Sequence, residues 1–227
     1  VNGGGLLDGG GVALGPVTLS DTVLYTWLIM AVLALACRLL TRRLGDDPGM
    51  VQAALEGIVE AIEGAVAQVM PDHPERVVPL VGTLWVFLVV ANLLGIVPGL
   101  HSPTGDLSAT AALAFVVFVS VHVFGVRYQG LRGYLRHYLS PSPILLPFNV
   151  IGEITRTVAL AVRLFGNIMS LELTALLVLV VAGFLAPVPI LMLHVIEALV
   201  QAYIFGMLAL VYIAGGIASQ RLTQQGE

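Results

Sequence analysis

The chain is predicted to be an all-α integral membrane protein, with about five membrane-spanning helices and one amphipathic surface helix. Three observations carry this reading. Of 227 residues, 58% are hydrophobic and only 11% charged, and the mean hydropathy is +0.97, far outside soluble globular usage. Several apolar runs reach the roughly 20 residues that a helix needs to cross a bilayer. Arginines cluster at the ends of those runs, as they do on the cytoplasmic side of membrane proteins. A transmembrane β-barrel would instead show short alternating segments. The net charge of −4 says little about a chain whose surface mostly faces lipid. Cys37 is the only cysteine, so no internal disulfide forms and the redox compartment is not legible.

The elements follow in order, within a single membrane domain over 1–227. Residues 1–20 are rich in glycine and carry no basic residue, and are expected to be a flexible outside tail. A first span is expected over 21–44, with Arg38, Arg42 and Arg43 after its apolar run. A signal peptide carries its positive charge before the apolar core, so this span is expected to be retained, N-terminus outside. Over 48–70, Asp47 as N-cap and Pro48 in the first turn predict a helix start. Gln52, Glu56, Glu60 and Glu63 then recur at helical spacing among apolar residues. That pattern is too polar to span and predicts a helix on the cytoplasmic surface. Its acidic face reads equally as solvated or as a docking face for a basic partner.

Residues 76–130 predict a helical hairpin. Its first arm, Val77 to Val97, has Asn92 as its one strongly polar interior residue. A polar outside loop from His101 to Asp106 follows, and the second arm is Leu107 to Val126. Asp106 reads equally as a loop cap or an ion-entrance residue, and His122 as a structural histidine. Arg127, Arg132 and Arg136 predict a cytoplasmic loop after it. The last hairpin is expected over 143–219. Ile144 to Leu185 would be about 63 Å long as a straight helix, about twice the hydrocarbon thickness. Pro187 to Ala218 would reach about 48 Å. Two long, strongly tilted helices joined by a short turn near Pro187 are the expected solution. The whole topology is N-terminus outside, C-terminus cytoplasmic.

The first of these long helices carries Glu153, Arg156, Arg163, Asn167 and Glu172. Each arginine at membrane depth costs about 3 kcal/mol, so a chain that keeps them is expected to use them. Positions seven apart share a helix face. Arg156 and Arg163 therefore coincide, with Asn167 close by, and Glu172 falls on roughly the opposite face. On the last helix His194, Glu197 and Gln201 form one stripe. Two polar tracks are expected, one containing Arg163 and the other joining Glu172 to His194 and Glu197. Structural alternatives stand beside each: Arg163 as a structural arginine paired with an internal carboxylate, Arg156 snorkelling at the rim, a buried network at Glu172, His194 and Glu197, and Gln201 bonding backbone.

Arg163-Leu164-Phe165-Gly166-Asn167, with Glu172 downstream and the His194, Glu197, Gln201 helix behind it, resembles the signature of subunit a in the membrane sector of F-type rotary ATP synthases. Asn92-Leu93-Leu94-Gly95 with Pro98, then Ser102 to Leu107, resembles that family's middle loop. The match is strong over about 80–220 and weak before it. Thr157 departs from the proline common after the basic residue. The resemblance implies a hairpin wrapped against a rotating ring of subunit c, a peripheral stalk of subunit b and the rest of the complex, in a bacterial inner membrane. It implies a non-catalytic subunit that passes H⁺ or Na⁺ through two offset half-channels. Arg163 would separate them. Glu172, His194 and Glu197 would line the outside one, with Gln201, Asn167, Asp106 and Asn92 also on the ion path. Glu153, with Thr155 and Thr157, would serve the cytoplasmic one, and Arg156 is also placed on the ion path. No cofactor, metal or nucleic-acid partner is expected.

Two other readings compete. A secondary transporter with a buried Arg/Glu/His relay would often show inverted repeats and broken helices, and no repeat is found. An intramembrane metalloprotease would need more than His194 and Glu197, because H-E-x-x-H is absent.

Overall fold

The computed structural model describes residues 11–14, 17–42, 49–71, 74–96, 102–139, 146–183 and 188–218. Among them the helices are α1 (Asp21–Thr41), α2 (Met50–Val69), α3 (Val78–Leu94), α4 (Leu107–Leu139), α5 (Leu146–Ala182) and α6 (Val188–Ala218). Segments of α1, α4, α5 and α6 are long and apolar enough to cross a membrane. The 17 residues of α3 are shorter but apolar, and span about 26 Å. The chain is thus an all-α membrane protein, with one small appendage.

That appendage corrects the reading of 1–20 as an unstructured tail. Strands β1 (Gly11–Leu14) and β2 (Val17–Ser20) pair antiparallel, Gly11 opposite Ser20 and Leu14 opposite Val17. The alternation of Val12, Leu14, Val17 and Leu19 with small or polar residues suits strands, and the glycine content hides it. Residues 1–10 lie outside the described residues.

Two boundaries also differ. Helix α2 begins at Met50 with Gly49 as N-cap and no side-chain cap, whereas Asp47 and Pro48 lie outside the described residues. The expected loop holding Arg127, Arg132 and Arg136 is helical in backbone to Leu139, broken at Gly130 (φ 69°, ψ 158°). No proline occurs between Leu107 and Pro141 to stop the helix. The break falls at the residue whose missing Cβ permits positive φ.

Helices α3 to α6 each bury a stripe at helical spacing. In α3 it is Val81, Trp85, Leu88 and Asn92; in α6, Ala198, Ala202, Phe205 and Ala209; in α4, Thr110, Ala114, Val117 and Val121; in α5, Leu160, Leu164 and Ile168. Lipid gives no hydrophobic drive for helices to associate, so close van der Waals packing between small residues matters. Ala198, Ala202, Gly206 and Ala209 supply that on α6. The Trp85 ring lies over Gly206, where a Cβ would collide with the indole. Trp85 stacks on Tyr203 at 5.8 Å between centroids and its Nε1 donates to the Tyr203 carbonyl at 3.3 Å. This contact locks α3 to α6. Helix α2 seats Val66 in the core, with Ile62, Ala65 and Val69 packed against it. Glu56, Glu60 and Glu63 are exposed.

Candidate functional site

The hairpin of α5 and α6 holds most of the polar residues singled out above. The Arg156 guanidinium sits 5.8 Å from the centroid of the Tyr212 ring, within cation–π range. The Asn167 amide donates to the Gln201 side-chain oxygen at 2.6 Å. Glu172 and His194 line one small cavity. As α5 is followed from 156 through 167 to 172, its partners on α6 run back from 212 through 201 to 194. The two helices are therefore antiparallel, in a fixed register.

The Glu172 cavity has a volume of about 20 Å³, room for about one water. Asn92, Gly95, Ile168 and Ala198 complete most of its wall. His194 is buried, and its Nε2 has no hydrogen-bond partner among the described residues. A buried orphan nitrogen is costly, and a water in this cavity would satisfy it. The Glu172 carboxylate is also pressed against Gly105, where a Cβ would meet both carboxylate oxygens at 3.3 Å. Gln201 is likewise buried, with Nε2 unpartnered among the described residues. Glu197 is half-buried and is not among the residues lining the cavity.

A hydroxyl network fixes the wall behind Glu172. The Asn92 amide donates to the Ala198 carbonyl at 3.2 Å, and its oxygen accepts from Thr104 Oγ1 at 2.7 Å. Ser102 Oγ donates to the Ala91 carbonyl at 2.9 Å and lies 2.6 Å from Thr104 Oγ1. Asn92, Ser102 and Thr104 are all buried. Sequence reasoning named Asn92 but gave Ser102 and Thr104 no role. The short polar run between two apolar helices was the available signal.

Asp106 caps α4, accepting from the Ser108 amide at 2.9 Å, and ties down α1 by accepting from Thr22 Oγ1 at 2.8 Å. Burial pushes its carboxyl up, but the Ser108 and Thr22 hydrogen bonds outweigh that and hold it below the ordinary carboxylate value. At the other end, Glu153 Oε2 lies 3.8 Å from Nε2 of His122 on α4. Thr157 Oγ1 bonds the Glu153 carbonyl at 3.0 Å and Thr155 Oγ1 the Ile151 carbonyl at 2.7 Å, so both threonine hydroxyls donate to their own helix.

Arg163 stands apart from all of these. It is exposed, and no hydrogen bond or ion pair links it to another described residue. Around it on α5 lie Ala159, Gly166 and Ser170, small side chains at helical neighbour positions, flanked by exposed Val158, Val162 and Met169. A Cβ placed at Gly166 would meet nothing within 4 Å. The surface presents a permanent cation in a shallow, apolar lane.

Residues 23–214 match the family described as ATP synthase A chain. Relatives include ATP synthase subunit a 1 of Hahella chejuensis, 66% identical over 93% of this chain and 89% of its own length. ATP synthase subunit a 2 of Pelobacter propionicus is 66% identical over 91% of this chain and 90% of its length. ATP synthase subunit a of Legionella pneumophila strain Corby is 54% identical over 95% and 94%. A helical hairpin with the Arg163, Asn167, Glu172, His194 and Gln201 pattern, matched to that family over nearly its whole length, makes this chain a multi-pass bacterial membrane protein belonging to the subunit a family of the F-type ATP synthase membrane sector.

Proposed function

We propose that this stator subunit passes H⁺ or Na⁺ through two offset half-paths to and from carboxylates on a ring of small proteolipid subunits, with Arg163 between the half-paths. The observation that carries the proposal is the exposed, unpaired Arg163 among the described residues. An arginine facing lipid costs about 3 kcal/mol, and a carboxylate arriving in the lane of Ala159, Gly166 and Ser170 removes that cost. The ring carboxylate must be neutral when it faces lipid. Beside a permanent cation its ionised form is favoured instead, so it releases its ion there and takes up another after passing. The same fixed charge repels any cation leaking directly from one half-path to the other. Arginine suits the task because it stays protonated where a desolvated lysine can lose its charge.

The cavity at Glu172 and His194, with its room for about one water, supports assigning these residues and Asn92 to the outer half-path, with Glu197 and Gln201 further along α6. Glu153 and Arg156 belong to the cytoplasmic half. A membrane-embedded peripheral stalk, subunit b in this family, would hold the stator against the torque. Glu172→Gln keeps the shape but removes the titratable carboxyl, and we expect it to slow ATP-driven ion uptake into inverted membrane vesicles by about 100-fold with the complex still assembled. Uptake at the parental rate would leave Glu172 a structural residue.

The orientation follows from the arginines after α1 and along α4, N-terminus outside and C-terminus cytoplasmic. In a variant with Cys37 replaced by serine, single cysteines at Gly3 and Gln225 should react with an impermeant maleimide from opposite faces of sealed vesicles. Labelling of both from one face refutes the orientation.

A further inference from the structure

Among the described residues outside the α5–α6 pairs, one titratable contact joins α4 to α5, between Glu153 of the proposed cytoplasmic half-path and His122, which has no part in the mechanism above. His122 Nδ1 lies 2.8 Å from the Phe118 carbonyl oxygen, one turn back on the same helix. A carbonyl only accepts, so Nδ1 carries a hydrogen and, in the neutral ring, Nε2 does not. Nε2 faces Glu153 Oε2 at 3.8 Å. The two facing atoms are both acceptors unless one proton lies on either Nε2 or the carboxylate. The two side chains are 33% and 20% exposed, so the pair lies at the surface of the subunit, with His122 five residues from Arg127 at the end of its apolar run. The Phe118 ring, 4.3 Å from the imidazole between centroids, holds the ring in place. Along α5, Arg163 is ten residues beyond Glu153, about 15 Å.

We propose that His122 and Glu153 form a one-proton relay at the cytoplasmic mouth of the ion path, and that His122 is the group that exchanges with water. The step is a simple transfer. An imidazolium Nε2–H beside a carboxylate becomes neutral imidazole beside a carboxylic acid, and the reverse step restores the ion pair. No other bond changes. Among the described residues, the other charged or titratable groups at this end of the α4, α5 and α6 packing are Arg127, Arg156 and Tyr212. Arg127 and Arg156 stay cationic, and Arg156 lies over the Tyr212 ring. The inference rests on the proposed ion path and assigns protons to its cytoplasmic half.

The test uses the whole complex in inverted vesicles, where the cytoplasmic face is outward. ATP-driven proton uptake is followed with a pH-sensitive dye while the external pH is varied. His122→Gln keeps a polar group of similar reach but cannot titrate. The expected result is an alkaline limb of the uptake profile moved to lower pH, because the pair no longer gathers protons when they are scarce. Glu153→Gln should move it the same way, and the double variant no further. A parental profile in assembled His122→Gln complex overturns the relay. So does a lower yield of complex with an unmoved profile, the mark of a packing role, and so does a complex that transports Na⁺ without proton uptake. Failure of the underlying ion-path reading is distinguishable, since it would show as normal pumping by assembled Arg163→Ala complex.

Discussion

Assembled complexes carrying Arg163→Ala are expected to lose ATP-driven ion transport altogether and to leak ions passively. Without the guanidinium nothing favours the ionised ring carboxylate at the interface, so the carboxylate keeps its ion and rotation does no coupled work. Nor does anything then separate the two half-paths electrostatically. Arg163→Lys should fail as well, although formal charge is kept. Its ammonium is a flexible point charge that can deprotonate when desolvated, and it lacks the planar fork that pairs bidentately with a carboxylate. The competing explanation is misassembly. It is unfavourable here because Arg163 is exposed and makes no hydrogen bond or ion pair with the described residues, so its removal leaves the fold of this subunit intact. Quantifying the complex in the same membranes separates the two explanations. Pumping at the parental rate by assembled Arg163→Ala complex would remove this residue from the mechanism and the proposed function with it.

The second large effect is on folding and comes from a position with no chemistry. A methyl group at Gly206 would be driven into the Trp85 indole, a rigid ring that is itself stacked on Tyr203 and hydrogen-bonded to its carbonyl. Overpacking a tight contact costs about 1–3 kcal/mol, and a ring with no free rotamer puts Gly206→Ala at or above the upper end. We expect little assembled subunit in Gly206→Ala membranes and less still in Gly206→Val. Trp85→Leu alone should cost less, by opening a cavity and losing one hydrogen bond. Combined with Gly206→Ala it should recover part of the loss, because the added methyl then has space. Strictly additive losses in the double variant would show that the two residues do not meet. Normal assembly of Gly206→Ala would show that α3 and α6 pack differently.

The one-dimensional pattern was sufficient for the membrane class, because burial in lipid demands long apolar runs, and for the polar residues of the last two helices, because charges within such runs stand out. It also placed α3, the start of α4 and the long α5 and α6 to within a few residues. It missed the β1–β2 hairpin, whose short strands sit in a glycine-rich stretch, and it ended α4 early because arginines resemble a loop when only charge is counted. Single-helix geometry separates Arg163 from Glu172, and in the structure Arg163 is exposed while Glu172 lines a cavity against α6. It could not tell that Asn167 meets Gln201, or that Glu172 shares a cavity with His194 and Asn92.

What the sequence determined by itself, then, was composition-driven: a helical membrane subunit, its family signature, and which side chains are too costly at membrane depth to be idle. What only the tertiary structure decided was register and facing. The antiparallel alignment of α5 with α6, the Trp85 ring over Gly206 and the meeting of His122 with Glu153 all join residues at least 22 positions apart. Helical periodicity fixes the angle of a side chain about its own axis. How far one helix slides along another is set by which small residues admit which rings, and by which buried polar atoms find partners. Both conditions involve two segments at once, and no pattern within either segment contains them.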